Sequence, residues 1–373
     1  MKIGFVSTQP GWGGGENLLG QLVLALRRLG AETVLAAPRA SGAAKWAHRQ
    51  EGLPVFELPG KGRGPMAAWR LRQWQNQERC DLVMLNDPHA ITWGGLGLAG
   101  AGVPRVGVRT TSFPVRSAWK HNRLVERVIC ISESARQECL KSGVEPDQTE
   151  VIYGGIDPPE LSDDQIGQAR QLFEGAPSKE ADKHLVAVGS LLPVKGFDTL
   201  IEAVALGARR GEPWRLWIAG EGEQRPELEA LIDRLGVSDR VTLLGFRKDV
   251  SALLAAADLF VSASHSEGLS LVMIEAMRAG RRTVATPVGG AREVMRMGDG
   301  DSSEIAWPFQ PGDAQGLAET IATVLQPTPE IQHKAFEAQR WAEERFSIDR
   351  MASDYLALFE TIVGAKAESR LAA

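Results

Sequence analysis

The residues best placed to do chemistry lie in Ser264-His265-Ser266-Glu267-Gly268-Leu269-Ser270-Leu271-Val272-Met273-Ile274-Glu275-Ala276-Met277. An apolar run ending near Ser262 reads as a strand, and the following pattern predicts a helix that starts around Ser270 and includes Val272–Met277. Glu267 then falls in the loop at the strand's carboxyl end, and Glu275 falls inside the helix. The amides beside Ser270 form a helix N-terminus suited to phosphate oxygens. Ionised carboxylates only accept hydrogen bonds, so two of them beside an anion site suit hydroxyl groups, as on sugars. The competing account makes Glu267 a partner of the helix dipole and Glu275 a solvated residue. Ile274, Ala276 and Met277 flank Glu275 and favour partial burial, which weakens that account.

Two other loops carry a weaker signal. In Gly189-Ser190-Leu191-Leu192-Pro193-Val194-Lys195-Gly196, the lysine beside a helix start can neutralise a phosphate as a point charge. An exposed loop lysine is an equal alternative. In Gly11-Trp12-Gly13-Gly14-Gly15-Glu16, the glycines let a ligand approach the backbone, and the helix start offers free N–H groups to an anion. The loop is not G-x-G-x-x-G, and no acidic residue ends the next strand as a dinucleotide site requires. Taken alone, it reads as a tight strand-to-helix turn.

Loops of this kind need strands to hold them. Ile3–Val6 reads as a buried strand, Asn17–Leu29 has helical apolar spacing, Gly30 stops that helix, and Thr33–Ala37 is the next strand. The alternation recurs at Leu82–Leu85, Arg105–Val108 and Val128–Ser132. It begins again at Leu185–Gly189, Leu216–Ala219, Val241–Leu243, Leu259–Ser262 and Thr283–Ala285. Two βα series imply an α/β chain with two doubly wound parallel sheets, joined near Gly154-Gly155-Ile156-Asp157-Pro158-Pro159. A last amphipathic stretch runs from Met351 to Val363, with a frayed tail expected after Gly364.

Composition agrees with this plan and excludes others. At 373 residues the chain exceeds what one core usually serves. A hydrophobic share of 43% excludes strong disorder, and the 40 glycines lack any collagen period. No apolar run long enough to span a membrane occurs, and Met1-Lys2 leads directly into a strand rather than a signal peptide. Cys80, Cys130 and Cys139 form no C-x-x-C pair, so neither a disulfide framework nor a zinc site is supported, and a reducing cytoplasm fits. The net charge of −5 divides unevenly. Residues 1–160 hold 19 Lys+Arg against 15 Asp+Glu (+4), and residues 161–373 hold 23 against 32 (−9). That split suits either different partners for the two halves or merely unequal solvated surfaces.

Glu267 and Glu275, spaced E-x7-E within E-G-L-S-L-V-M-I-E-A-M-R-A-G, resemble the signature of glycosyltransferase family 4. The likeness continues through Val188–Leu191, Lys195–Leu200, Gly245 with Asp249-Val250, Ala257–Val261 and Gly289–Glu293. It extends more loosely to Gly13–Glu16, Ile131–Ser134 and Gly155–Asp157. The resemblance implies retaining enzymes of the GT-B fold, with two Rossmann-like domains facing a central cleft. An acceptor-side domain would hold 1–157 and a returning 346–373, and a donor domain would hold 158–345. Glu275 would hold the ribose of a nucleotide sugar, with a UDP-sugar favoured, and Glu267 would contact the transferred hexose. Gly268, Leu269, Ser270 and Leu271 would present amides, Lys195 would neutralise the diphosphate, Gly14 and Gly15 would close over it, and backbone near Arg247 would meet the base. Catalysis would fall to Glu267, Lys195 and Arg109. The chain departs from the family pattern twice. Ser190 stands where Arg is common, and Arg109 stands near the place of a common His. Arg247, Lys248 or Arg109 are the available cations to compensate.

Nothing in the pattern calls for a metal or a cofactor, since the nucleotide sugar is itself the donor substrate. The implied acceptor is a glycan or lipid-linked sugar in envelope polysaccharide or lipopolysaccharide assembly. Lys61, Arg63, Trp69, Arg70, Arg72 and Trp74 mix cations with indoles at helical spacing, as a peripheral contact with an anionic membrane would require. A solvated helix face explains them equally well. His89 is the nearest histidine to the expected position, and a structural loop role suits it better. A sequence pI near 5.8 and the absence of a recognition motif argue against nucleic acid. A GT-B sugar-nucleotide epimerase and a non-catalytic nucleotide-sugar-binding scaffold are the alternatives to transfer.

Overall fold

The computed structural model describes residues 1–111, 113–175, 182–297 and 304–371. The chain divides into two compact units, Met1–Ile156 with Phe346–Ala373, and Asp157–Arg345.

The first unit is built on a parallel sheet of β1 (Lys2–Val6), β2 (Glu32–Pro38), β3 (Val55–Leu58), β4 (Leu82–Leu85), β5 (Arg105–Arg109), β6 (Arg127–Cys130) and β7 (Thr149–Val151). Its spatial order is β3-β2-β1-β4-β5-β6-β7, so the winding reverses between β1 and β4. Helices α1 (Gly14–Arg28), α2 (Gly42–Ala47), α3 (Pro65–Glu78), α4 (Pro88–Gly97), α5 (Ala118–Leu124) and α6 (Glu133–Lys141) connect the strands. In α1, Leu18, Leu19, Leu22 and Leu26 form the buried stripe, and the helix gives way to Gly30 at φ +87°, a conformation that favours glycine. The two strands at the reversal are tied by Asp87, the N-cap of α4. Its carboxylate accepts from the backbone N–H groups of Thr8, His89 and Ala90 and from the Thr8 hydroxyl.

The second unit repeats the plan with β8 (Lys183–Val188), β9 (Trp214–Ala219), β10 (Val241–Gly245), β11 (Leu259–Ser262), β12 (Arg282–Ala285) and β13 (Trp307–Pro308), ordered β10-β9-β8-β11-β12-β13. Its helices are α7 (Asp163–Glu174), α8 (Phe197–Arg209), α9 (Arg225–Leu235), α10 (Val250–Ala256), α11 (Leu271–Arg278), α12 (Ala291–Val294), α13 (Ala314–Val324) and α14 (Pro329–Arg345). Leu185, Leu216, Ile218, Leu200, Val204 and Trp214 are all buried in its core. The reversal here falls between β8 and β11. In open parallel sheets such a reversal leaves a crevice at the carboxyl ends of the strands, which is where ligands bind.

The last helix, α15 (Ile348–Leu371), packs on α1 of the first unit. It runs well past Gly364, where the sequence suggests fraying. Strands β7 and β13 escape the sequence reading because they hold only three and two residues, too few to show a period, and β3 escapes it because Glu57 interrupts its short apolar run Val55-Phe56-Glu57-Leu58. The cation-indole stretch also needs correcting. Trp74 is 1% exposed and packs in the first core, 6.4 Å from Phe56, whereas Trp69 is 54% exposed. Five residues on a helix turn the side chain by about 140°, so the two indoles cannot share a face. Among the described residues, no helix is long and apolar enough to cross a membrane.

Candidate functional site

In the second unit, the loops after β8 and β11 lie on either side of the reversal and are stitched together through their backbones. The His265 N–H donates to the Val194 carbonyl at 2.8 Å. Gly196 sits at φ +61°, and a Cβ there would lie 2.2 Å from the Ala263 carbonyl oxygen. That close approach brings Lys195 to Glu267, with Nζ 2.6 Å from Oε1. The same carboxylate oxygen accepts from the Ser264 hydroxyl at 2.7 Å, and Thr286 anchors Ser264 by donating to its carbonyl at 2.5 Å. Gly290 supports the loop from behind: its N–H donates to the Glu267 carbonyl, and a Cβ on it would lie 2.1 Å from the Gly268 carbonyl oxygen.

Beyond Glu267 the chain turns into α11 with Ser270 as N-cap, so the free amides of the first turn open at this loop. Leu269 and Ser270 are buried, and the Ser270 hydroxyl oxygen has no protein partner. Glu275 lies one turn further on. Burial raises its carboxyl to about 7, with no neighbouring charge or hydrogen bond to offset the effect. A mostly buried carboxylate without a partner can accept hydrogen bonds from a ligand.

The remaining donor-side residues behave differently from one another. Ser190 is exposed and adds no charge. Arg247 is committed to Asp249, donating from Nε to Oδ1 at 2.8 Å and from Nη2 to Oδ2 at 2.5 Å. Of the cations available to compensate for Ser190, this one is therefore already engaged. The sequence reading passed over Gly220-Glu221-Gly222, which ends β9 on the same carboxyl edge. A Cβ at Gly220 would lie 1.8 Å from the Gly189 carbonyl oxygen, and one at Gly222 would lie 2.3 Å from that of Leu191. A Gly-x-Gly directly after the strand Leu216–Ala219 was the available signal. Thr286 lies outside the motifs, and Ser264 stands within one without a visible role, because what each does depends on which loops become neighbours.

The first unit has its own cavity of about 170 Å³, beside the ends of β1, β4 and β5. Gly15, Glu16, Asn86, Arg109, Thr110 and His121 are among the residues that line it. Glu16 accepts from the Gly13 N–H at 3.1 Å, and burial pushes its carboxyl up. Arg109 is 9% exposed, donates from Nη2 to the Phe113 carbonyl, and leaves Nε without a partner. Burial holds His121 down to about 4, so its ring is neutral at ordinary pH. Gly14 is exposed in the same loop. His89 is exposed at the start of α4, outside this lining. Lys61 and Arg63 are exposed, Arg70 lies over the Phe56 ring at 4.9 Å, and Arg72 donates to the Ala99 carbonyl at 2.7 Å. Among the described residues, no three His, Cys, Asp or Glu side chains gather as a metal site would require.

Residues 182–327 match the family profile described as glycosyl transferases group 1, and residues 12–160 match that of glycosyltransferase family 4. The lipopolysaccharide core biosynthesis glycosyltransferase LpsE of Rhizobium meliloti is 34% identical over 174 residues, 47% of this chain and 48% of that protein. The lipopolysaccharide glucosyltransferase WaaG of Escherichia coli is 31% identical over 216 residues, 57% of this chain and 56% of that protein. Alignments thus span about half the length of the curated relatives. Among solved structures, Anabaena HepE in complex with UDP and glucose aligns with a TM-score of 0.82 at 26% identity, covering 97% of this chain and all of that one. A Rickettsia africae glycosyltransferase aligns with a TM-score of 0.84 at 17% identity, over 97% of this chain and 98% of that one, which is a likeness of fold. Both sheets are those of GT-B structures.

Proposed function

We propose, for a chain that belongs to the family 4, group 1 glycosyltransferases, that it moves a hexose from a UDP-sugar to a glycan or lipid-linked acceptor in envelope polysaccharide or lipopolysaccharide assembly. The observation that carries this reading is the group of Lys195, Glu267, the α11 amides and the partnerless Glu275 on one carboxyl edge. A cation and free amides suit a diphosphate, and a buried carboxylate suits the two hydroxyls of a ribose. The UDP and glucose bound by HepE, and the lipopolysaccharide relatives, support the choice of donor and pathway class.

Departure of the nucleoside diphosphate places negative charge where Lys195 and the amides beside Ser270 can stabilise it. The departing phosphate oxygen takes the acceptor's proton and the anomeric configuration is retained, so no side-chain base is required. In this reading no metal participates, and EDTA leaves transfer unchanged. The second unit holds the donor, and the first takes the acceptor beside Glu16 and Arg109. Exposed Met66, Trp69 and Trp119, with Lys61 and Arg63, support a peripheral contact with an anionic membrane on its cytoplasmic side.

The test is a thermal-shift screen of nucleotide sugars, followed by transfer from the best binder to isolated envelope glycans, with NMR assignment of the product anomer. Stabilisation by a UDP-sugar and an α product from an α donor are expected. An inverted product would reject retention. Ser190 and Arg109, standing where the family pattern has Arg and His, favour a second reading as a non-catalytic scaffold. Turnover in the same assay excludes it. An epimerase would convert the donor with no acceptor present.

A further inference from the structure

A cavity of about 640 Å³ opens at the amino ends of β4 and β5 in the first unit. Cys80-Asp81 leads into β4, Val103-Pro104 leads into β5, and Lys366 near the end of α15 belongs to one wall. The run of α15 past Gly364 thus supplies part of this lining. Asp81 and Asn86 stand at opposite ends of β4, so about 16 Å of extended chain separates this cavity from the one beside Arg109.

The lining is only partly satisfied by the protein itself. Gln75 is 8% exposed and lines the cavity. Its Nε2 donates to the Cys80 carbonyl at 3.0 Å, which fixes the amide, and its Oε1 has no protein partner. An unmet buried acceptor costs about 1–3 kcal/mol. Arg79, the C-cap of α3, takes φ +51°, a left-handed conformation that glycine adopts more easily, and its side chain is exposed at the rim. Burial pushes the Cys80 thiol up to about 12, so it stays neutral and joins buried Val103 and Pro104 as the apolar part of the lining.

A hydroxylated anion fits this combination. Two cations, Arg79 and Lys366, match the double charge of a phosphate monoester better than the single charge of a carboxylate. Gln75 Oε1 needs an O–H or N–H donor. Asp81 spends one carboxylate oxygen on the Lys2 backbone N–H at 2.7 Å and can accept from a further hydroxyl with the other. The volume is that of a small-ligand pocket and holds more than an inorganic phosphate.

We infer that this cavity is a second ligand site, separate from the site on the carboxyl edge of the second unit, and that it takes a phosphorylated sugar. The phosphate meets Arg79 and Lys366, and a sugar hydroxyl donates to Gln75 Oε1. The inference does not depend on the donor reading. A free sugar phosphate and a phosphorylated residue of an envelope glycan present the same chemistry here.

The experiment is calorimetric titration of the full chain, as wild type, Arg79→Gly, Gln75→Leu and Lys195→Ala. The probes are glucose 1-phosphate, inorganic phosphate and a phosphorylated lipopolysaccharide core oligosaccharide. Arg79→Gly relaxes the left-handed backbone, so its Tm should equal or exceed that of wild type while its affinity for glucose 1-phosphate falls about tenfold or more. Gln75→Leu should weaken glucose 1-phosphate and leave inorganic phosphate unchanged, and Lys195→Ala should bind as wild type does. Tighter binding of the oligosaccharide than of glucose 1-phosphate identifies the glycan as the source, and the reverse order identifies the free sugar phosphate. Wild-type affinity in Arg79→Gly overturns the inference, and a loss in Lys195→Ala then places the ligand on the donor edge. Wild-type protein that binds no probe, or binds inorganic phosphate as tightly as glucose 1-phosphate, also overturns it, the second result marking an adventitious ion only.

Discussion

Lys195 Nζ lies 2.6 Å from Glu267 Oε1, so the cation and carboxylate from two different loops hold each other at the sheet's reversal. With side chains 24% and 11% exposed, the pair is shielded from water on most sides. In the proposed reading, a diphosphate arriving there would offer Lys195 a second anion and free Glu267 for the hydroxyls of a sugar. Glu267→Gln should keep UDP affinity within a few-fold of wild type and lower kcat by about 100-fold. Lys195→Ala should lower both UDP affinity and kcat. Steady-state kinetics with UDP titrations check this, and equal activity in wild type and Glu267→Gln would remove that residue from the mechanism.

If Glu275 holds the ribose as proposed, it links pH to donor binding. Its carboxyl is raised to about 7 by burial, and only the ionised form can accept from two ribose hydroxyls at once. UDP affinity should therefore rise with pH up to about 7 and level off above it, falling about tenfold per unit on the acid side. Calorimetry from pH 5.5 to 8.5 reads this directly. A flat profile would separate Glu275 from the ribose.

The same shift has a consequence for stability. A folded-state pKa raised from 4.5 to about 7 gives a contribution that is complete below about 4.5 and is lost as pH rises through 7. Glu275→Gln avoids burying the charge, so the variant should be more stable than wild type at pH 8 by about 1–3 kcal/mol, with the difference closing toward pH 4.5. It should also lose UDP binding. Denaturant titrations at the two pH values provide the comparison.

Gly220→Ala tests the backbone packing under the site. With φ +152° and a Cβ only 1.8 Å from the Gly189 carbonyl oxygen, the substitution forces β8 and β9 apart at their carboxyl ends. A loss of about 2–4 kcal/mol, seen as a lower Tm, is expected. Gly211→Ala serves as a control, because it also has positive φ but meets no atom within 4 Å. It should cost about 1 kcal/mol.

Trp69 and Trp74 should part company in the laboratory as they do in α3. Trp74→Ala empties a core position and should cost about 3–5 kcal/mol. Trp69→Ala should change stability by less than about 0.5 kcal/mol and weaken sedimentation with anionic vesicles. Neutralising Lys61, Arg63, Arg70 and Arg72 should do the same and reduce the salt dependence. Unchanged sedimentation in both would reject the membrane contact.

The sequence alone determined the α/β class and much of the site's local chemistry. Apolar runs alternating with 3.6-residue spacing require parallel strands and crossover helices, and Ser270 before Leu271–Arg278 starts a helix wherever the chain is placed. The loop position of Glu267, the helical position of Glu275 and the place of Lys195 before α8 are local properties of this kind, set by caps, glycines and periodicity. Tertiary structure decided what those residues meet. The Lys195–Glu267 contact spans 72 positions and exists because the sheet places β11 beside β8, while Ser264 and Thr286 matter only because β12 lies beyond β11. Trp74 and Trp69 are the same residue type five positions apart, and only the packing of α3 sends one into the core and the other into water. Burial is a property of neighbours, and neighbours distant in sequence are assigned by strand order, which short-range spacing does not encode.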